Sequence, residues 1–288
     1  MTSAQSFAIL NKPSKVLRVL KKVPTTFMIH IYAQHVTPAL SALFNWHDMQ
    51  AVRCFAVLAG CMKGRIVTDD AAAPAWAAVW EQAEGTLFLA GALNRNCVAH
   101  LVASLRAEGD VLVGLLPDDP RITLLPSGED YDGWTLEFFD RAGVNMDAIT
   151  TNVPAGCELR RIDRELAHHS EGLAGWCAHF GGVDAFLQHN IGYCLLKDDT
   201  IVSEATAGPA AHGLFEMGVS THPDHRGKGF ATIVCAATIA ACEAGGHATY
   251  WNCAKQNSAS GAVARKMGYQ AMREYRLLAW SALTNKPS

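Results

Sequence analysis

Apolar and polar positions in the carboxyl-terminal half follow two periods, and each switch between them marks an element. Runs with strand-like alternation or continuous apolar character predict strands over 158–162, 191–196, 200–207, 213–221 and 248–254. Lys197-Asp198-Asp199 turns the second of these into the third as a hairpin. Helical material fills 165–187, broken at Gly181-Gly182, and two further helices run from Gly229 to about Glu243 and from Asn257 to Gly268. Residues 270–280 close the chain as one or two strands. The amino-terminal half repeats the theme faintly. Residues 54–60 and 65–68 read as a hairpin or as a helix and a strand, 76–80 and 86–91 as strands, 97–105 as a helix and 111–115 as a strand. Residues 145–156 lack helical periodicity and contain Pro154 and Gly156, so the chain is expected to divide near residue 150 into domains 1–150 and 151–288. The fold class is α/β (α+β).

One strand-to-helix turn carries chemistry. Val219-Ser-Thr-His-Pro-Asp-His-Arg226-Gly-Lys-Gly229-Phe-Ala231 leads straight into an apolar helix. Glycines let backbone N–H groups crowd an anion, and the helix start adds unpaired donors and partial positive charge. Arg226 can fork onto phosphate oxygens and Lys228 adds a point charge. Two familiar anion loops do not fit. A P-loop wants a glycine where His222 stands, and a dinucleotide fingerprint wants Gly or Ala where Thr232 stands. The pattern present is Arg-x-x-Gly-x-Ala at Arg226, Gly229 and Ala231. A plain glycine-rich turn is the competing reading.

A second motif follows in order. The strand at 248–254 leads to Asn257-Ser-Ala-Ser260, a plausible helix cap, and the helix ends at Gly268-Tyr269. Together the two motifs resemble those of the GNAT superfamily of N-acetyltransferases, and the resemblance covers residues 157 to about 280. It implies a mixed, mostly antiparallel twisted sheet flanked by helices, preceded here by a degenerate half-domain that shapes the substrate cleft without binding cofactor. It also implies acetyl-CoA as co-substrate. Val219, Ser220 and Thr221 would hold the pantetheine arm; Arg226, Gly227, Lys228, Gly229, Phe230 and Ala231 the diphosphate; Asn257 and Ser260 would complete the site. The implied reaction is direct acetyl transfer to a primary amine of a small molecule, with antibiotic modification or detoxification as one role. A protein or peptide acceptor, a catalytically lapsed CoA-binding sensor and a nucleotide-phosphate binder are the alternatives.

The acceptor amine must be neutral to attack, so a general base is expected. Glu216, just ahead of the pantetheine positions, is the first choice, with pairing to an arginine at the sheet edge as its structural alternative. Glu204 is the runner-up, expected to face solvent, and His212 and His179 stand behind it. Many relatives place a tyrosine acid seven residues after the motif Asn, where this chain has Ala264; Tyr269, Ser260 or Cys253 could substitute, or the thiolate could leave unprotonated.

Composition narrows the class. A charged fraction of 18 % and a net charge of −3 argue against a disordered chain and a nucleic-acid partner. Nine cysteines with no Cys-x-x-Cys pair suggest reduced thiols and a cytoplasmic protein. No uncharged apolar run is long enough to span a membrane. Lys12, Lys15, Arg18, Lys21 and Lys22 surround Val16, Leu17, Val19 and Leu20, predicting a basic amphipathic helix that packs on the core, with membrane targeting as the alternative. No metal is expected: His222-Pro-Asp-His225 reads as a turn. Acidic residues at Asp118, Asp119, Glu129, Asp130 and Asp132 read as a solvated loop that would favour a polycationic acceptor only if it bordered the cleft. A homodimer is left open.

Overall fold

The computed structural model describes residues 28–150 and 152–283. The basic segment at 12–22 lies outside the described residues.

Four antiparallel strands form the first sheet in chain order: β1 (Ile29–Ile31), β2 (Gly64–Thr68), β3 (Trp76–Glu81) and β4 (Leu87–Gly91). Every residue of β3 is buried because helices cover both faces. Ala77 and Val79 pack with α2 (Ala51–Leu58), which follows the short α1 (Pro38–Ser41). Trp76, Ala78 and Trp80 pack with α3 (Arg95–Leu105). Strand alternation therefore divides one continuous apolar run between two cores. The ambiguous stretch 54–60 is helical, and the amino-terminal half is an α/β unit rather than a helical bundle.

The second sheet has eight strands in the order β5-β12-β6-β11-β10-β9-β8-β7. These are β5 (Val111–Leu115), β6 (Tyr131–Arg141), β7 (Cys157–Arg161), β8 (Ile191–Lys197), β9 (Thr200–Ala211), β10 (Leu214–Thr221), β11 (Ala248–Ala254) and β12 (Tyr269–Trp280). All neighbours are antiparallel except β10 and β11, which are parallel and joined over α8 (Phe230–Ala244). Strand β6 is wedged between β11 and β12, with Phe138 opposite Trp251 on one side and Met272 on the other. The division expected near residue 150 falls at the end of α4 (Met146–Thr150), yet β5 and β6 lie before it and belong to the second sheet. A cut there would part β6 from both its neighbours. Among the described residues one isolated parallel bridge, Thr86 to Leu112, links the two sheets.

Helix α8 is buried along most of its length and packs on Ala205, Ala207, Met217 and Trp251. The opposite face of β8 and β9 is covered by α5 (Arg164–His169), α6 (Glu171–His179) and α7 (Val183–His189). The predicted break at Gly181-Gly182 is present. A second break falls at Ser170, whose hydroxyl caps α6 by accepting from Leu173 N–H at 3.1 Å. The last helix, α9 (Ser258–Lys266), precedes a single closing strand of 12 residues.

Candidate active site

Strands β10 and β11 pair from Leu214 opposite Ala248 to Met217 opposite Trp251, and then part. Beyond that point Gly218–Thr221 stay paired to β9, and Asn252–Ala254 to β6. Neither half of the gap collapses, because each remains held by its outer neighbour. The gap is lined by Met217 to Ser220 and Trp251 to Ala254, with Asn257 and Ser260 at its edge. It opens into a cavity of about 430 Å³, within the range of small-molecule sites. Gln50 and Arg53 from the start of α2, Glu84 from the β3–β4 turn, and Leu173 and Trp176 of α6 close the cavity. Both halves of the chain build it.

Downstream of β10, residues Pro223–His225 make a 3-10 turn, and the chain enters α8 through Gly227 (φ 76°) and Gly229 (φ 81°). Such positive φ favours glycine. No heavy atom lies within 4 Å of where a Cβ would stand at either position. Gly229 is the N-cap residue of α8, and no side chain caps the helix. The N–H groups of Phe230 and Ala231 therefore have no intrahelical partner and point out of the helix end. Arg226 Nε donates to Thr221 O at 3.2 Å and Lys228 Nζ to Asp224 O at 2.9 Å, keeping both cations beside the turn. Glycines, an open helix end and two cations fit a diphosphate. Asn257 caps α9 by accepting from Ser260 N–H at 3.1 Å, and Ser260 Oγ accepts from Trp251 Nε1 at 2.9 Å. Among the described residues no group of three His, Cys, Asp or Glu side chains could hold a metal ion.

Glu216 sits at the register shift between Phe215 and Met217, both of which face the core. It is 5 % exposed and fully engaged. Arg53 donates through Nε at 2.9 Å to Oε2 and through Nη2 at 2.7 Å to Oε1, and Tyr250 Oη–H donates to Oε2 at 2.7 Å. The arginine alternative therefore describes its surroundings, except that the partner comes from the other half of the chain rather than the sheet edge. Burial works against the Arg53 charge, and Glu216, Glu84 and Glu81 more than offset it, holding its pKa above the ordinary value. The Tyr250 phenol is driven up by burial and by the Glu216 charge. Nearby, burial lifts the Glu137 carboxyl well above the ordinary carboxylate range, against the N–H bond from Gln50. Gln50 itself adopts φ 52° and bridges Glu216, Asn252 and Thr86.

Glu204 does not face solvent as expected. It is 8 % exposed because α6 folds over β9, and it lines the cavity opposite Ser220. Ser170 Oγ–H donates to its Oε2 at 2.7 Å. The other oxygen, Oε1, has no hydrogen-bond partner among the described residues. It stands 2.6 Å from where a Cβ on Gly172 would be, so glycine is what leaves room for it. Burial raises its pKa, and the Ser170 bond opposes this only in part.

The remaining candidates separate cleanly. His212 packs against Trp46 and Phe55, and His179, whose pKa burial lowers, stacks edge-on to Trp176; neither lines the cavity. Ala264 is buried in the core, and the Tyr269 hydroxyl is tied to Thr249 Oγ1 at 2.6 Å there. Of the three tyrosine substitutes, Ser260 and Cys253 border the gap and Tyr269 does not. In the acidic loop Asp119, Asp130 and Asp132 pair with Arg121, Arg106 and Arg276, and the loop lies off the cavity. Arg53, Gln50, Glu84 and Trp176 were missed in the sequence, where each reads as an ordinary helix or turn residue.

Similarity to known proteins bears on this geometry. The family described as GNAT acetyltransferase matches residues 41–278. An uncharacterized N-acetyltransferase, YdfB, of Bacillus subtilis (strain 168) is 25 % identical over 236 residues, 77 % of this chain and 88 % of that protein. A GCN5-related N-acetyltransferase-like protein from Streptococcus suis 89/1591 superposes with a TM-score of 0.64 at 21 % identity, over 86 % of this chain and all but 1 % of the other, which is 99 % covered. A tandem GNAT protein from the clavulanic acid biosynthesis pathway superposes with a TM-score of 0.56 at 12 % identity, covering 90 % and 99 % of the two chains. Among the described residues no helix is long and apolar enough to cross a membrane.

Proposed function

The chain belongs to the GNAT acetyltransferase family, whose enzymes use acetyl-CoA, and from that premise we propose that it transfers an acetyl group directly to a primary amine of a small molecule. The observation that carries this reading is the gap between β10 and β11, which connects the glycine-rich turn to a cavity walled by both halves of the chain. Bound acetyl-CoA supplies an acyl group activated as a thioester. Arg226, Gly227, Lys228 and Gly229, with the N–H groups of Phe230 and Ala231, hold the diphosphate. Val219, Ser220 and Thr221 offer backbone groups to the pantetheine arm, and N–H groups facing the gap stabilise charge on the carbonyl oxygen. Asn257 and Ser260 complete that wall.

A lysine-like amine costs about 4–5 kcal/mol to deprotonate at pH 7. Glu204 serves as base. Its free oxygen faces the cavity, and an elevated pKa brings its basicity closer to the working pH. Glu216 instead ties the two halves together through Arg53. Walls formed by α2, α6 and the β3–β4 turn suit a small acceptor better than a polypeptide.

The test is thiol release by the full chain with acetyl-CoA across a panel of amines. Glu204→Gln is expected to lower turnover by about 10²–10⁴-fold with CoA affinity kept. Undiminished release would remove Glu204 from the reaction. CoA binding without release on any amine would favour a sensor.

A further inference from the structure

We infer that the acceptor carries a second ammonium, and that Glu84 selects for it while Glu204 receives the reacting amine. The inference rests on the acetyltransferase reading of this cavity and adds the class of acceptor. Two kinds of charge are segregated along the site. The cationic residues Arg226 and Lys228 stand at the turn outside the gap, and the cavity lining holds no lysine and one arginine. Against that arginine stand Glu84, Glu204 and Glu216. Glu216 matches the Arg53 charge through two hydrogen bonds at 2.9 and 2.7 Å. Glu84 meets the same guanidinium through both of its oxygens at 3.0 Å, so one cation faces two carboxylates and the cluster carries surplus negative charge.

Its placement differs from that of Glu216. Glu84 sits on the β3–β4 turn with its side chain 48 % exposed, so an incoming cation can reach it. Glu204 gives a second, independent indication of a ligand. More than nine-tenths buried, it presents to the cavity an oxygen with no hydrogen-bond partner among the described residues. A carboxylate buried in this way is stabilised by a donor arriving with the substrate. Trp176 lines the wall between α2 and α6 and already stacks on Arg53 at 5.4 Å, offering an apolar face to a methylene spacer. An acceptor with an ammonium at each end and an apolar middle satisfies all three features. A carboxylate-bearing acceptor such as an amino acid would instead meet Glu84 and Glu204 as like charges.

Equilibrium binding tests this without relying on turnover. The full chain, saturated with desulfo-CoA, is titrated by calorimetry with putrescine and cadaverine and with butylamine and pentylamine, which share the chains but lack the second charge. The diamines are expected to bind about 10–100-fold tighter, the range of one charge-assisted contact in a partly buried site. In Glu84→Gln that ratio is expected to fall toward one, and Tm and CoA affinity show that the variant is folded. Equal affinities in the wild type, or a preference untouched by Glu84→Gln, overturn the inference. Failure to bind the CoA analogue is a different result: it overturns the acetyltransferase reading on which this one stands.

Discussion

Two strand-to-helix turns, one in each half of the chain, end in opposite ways. In the amino-terminal half, β4 passes through Gly91 to α3, and Asn94 caps that helix by accepting from Cys97 N–H at 3.0 Å. Gly91 is crowded: a Cβ there would stand 2.3 Å from Ala75 O. In the carboxyl-terminal half, β10 passes through Gly227 and Gly229 to α8, whose end no side chain caps and whose glycines face open space. The first helix satisfies its own N-terminus. The second leaves it open, as the proposed diphosphate site requires. The same kind of connection is closed or left open to an anion according to whether a side chain supplies the helix cap.

The widest effect is expected where the open turn is closed. Gly229→Glu places a Cβ at φ 81° and a carboxylate where a diphosphate would lie, and should weaken CoA binding by at least about 1,000-fold. Gly229→Ala separates the causes, since it imposes the backbone strain without the charge. Calorimetric affinity unchanged in Gly229→Glu would mean that the open turn is not the anion site.

Next in size is the tie between the halves. Glu216→Gln leaves Arg53 buried with a neutral amide, and breaking such a pair costs about 3–5 kcal/mol. The low end, about 3 kcal/mol, is expected because Glu84 and Glu81 still contact Arg53. Denaturant titration should register it. If Glu216→Gln stopped turnover while leaving stability intact, Glu216 and not Glu204 would be the base.

These two sites were unequally legible in the sequence. Residues 226–231 form a contiguous turn whose conformation follows from its own glycines, so the motif alone located it. Glu216 was visible, but its partner Arg53 lies 163 positions away on a helix with no motif. Glu204 reads as solvent-facing because strand alternation reports which residues share a face and not what covers that face. Here α6, turned by the Ser170 cap, covers it. The same limit applies more strongly to β6, a strand that the sequence reading does not single out: nothing local says that it inserts between β11 and β12, more than a hundred residues onward.

The smallest effect tests the closed turn. Asn94→Ala removes the side-chain oxygen that accepts from Cys97 N–H and should cost about 1 kcal/mol of stability, the usual value of an N-cap. Helix α3 packs on β3, β4 and β5 through Val98, Leu101 and Val102, so the helix itself should persist and only its first turn should loosen. CoA affinity should not change, because Asn94 takes no part in lining the cavity and lies on the half whose turn ends in its own cap. A measurable fall in CoA affinity with Asn94→Ala would show that the amino-terminal turn also serves a ligand, and the contrast between the two turns would then be one of degree.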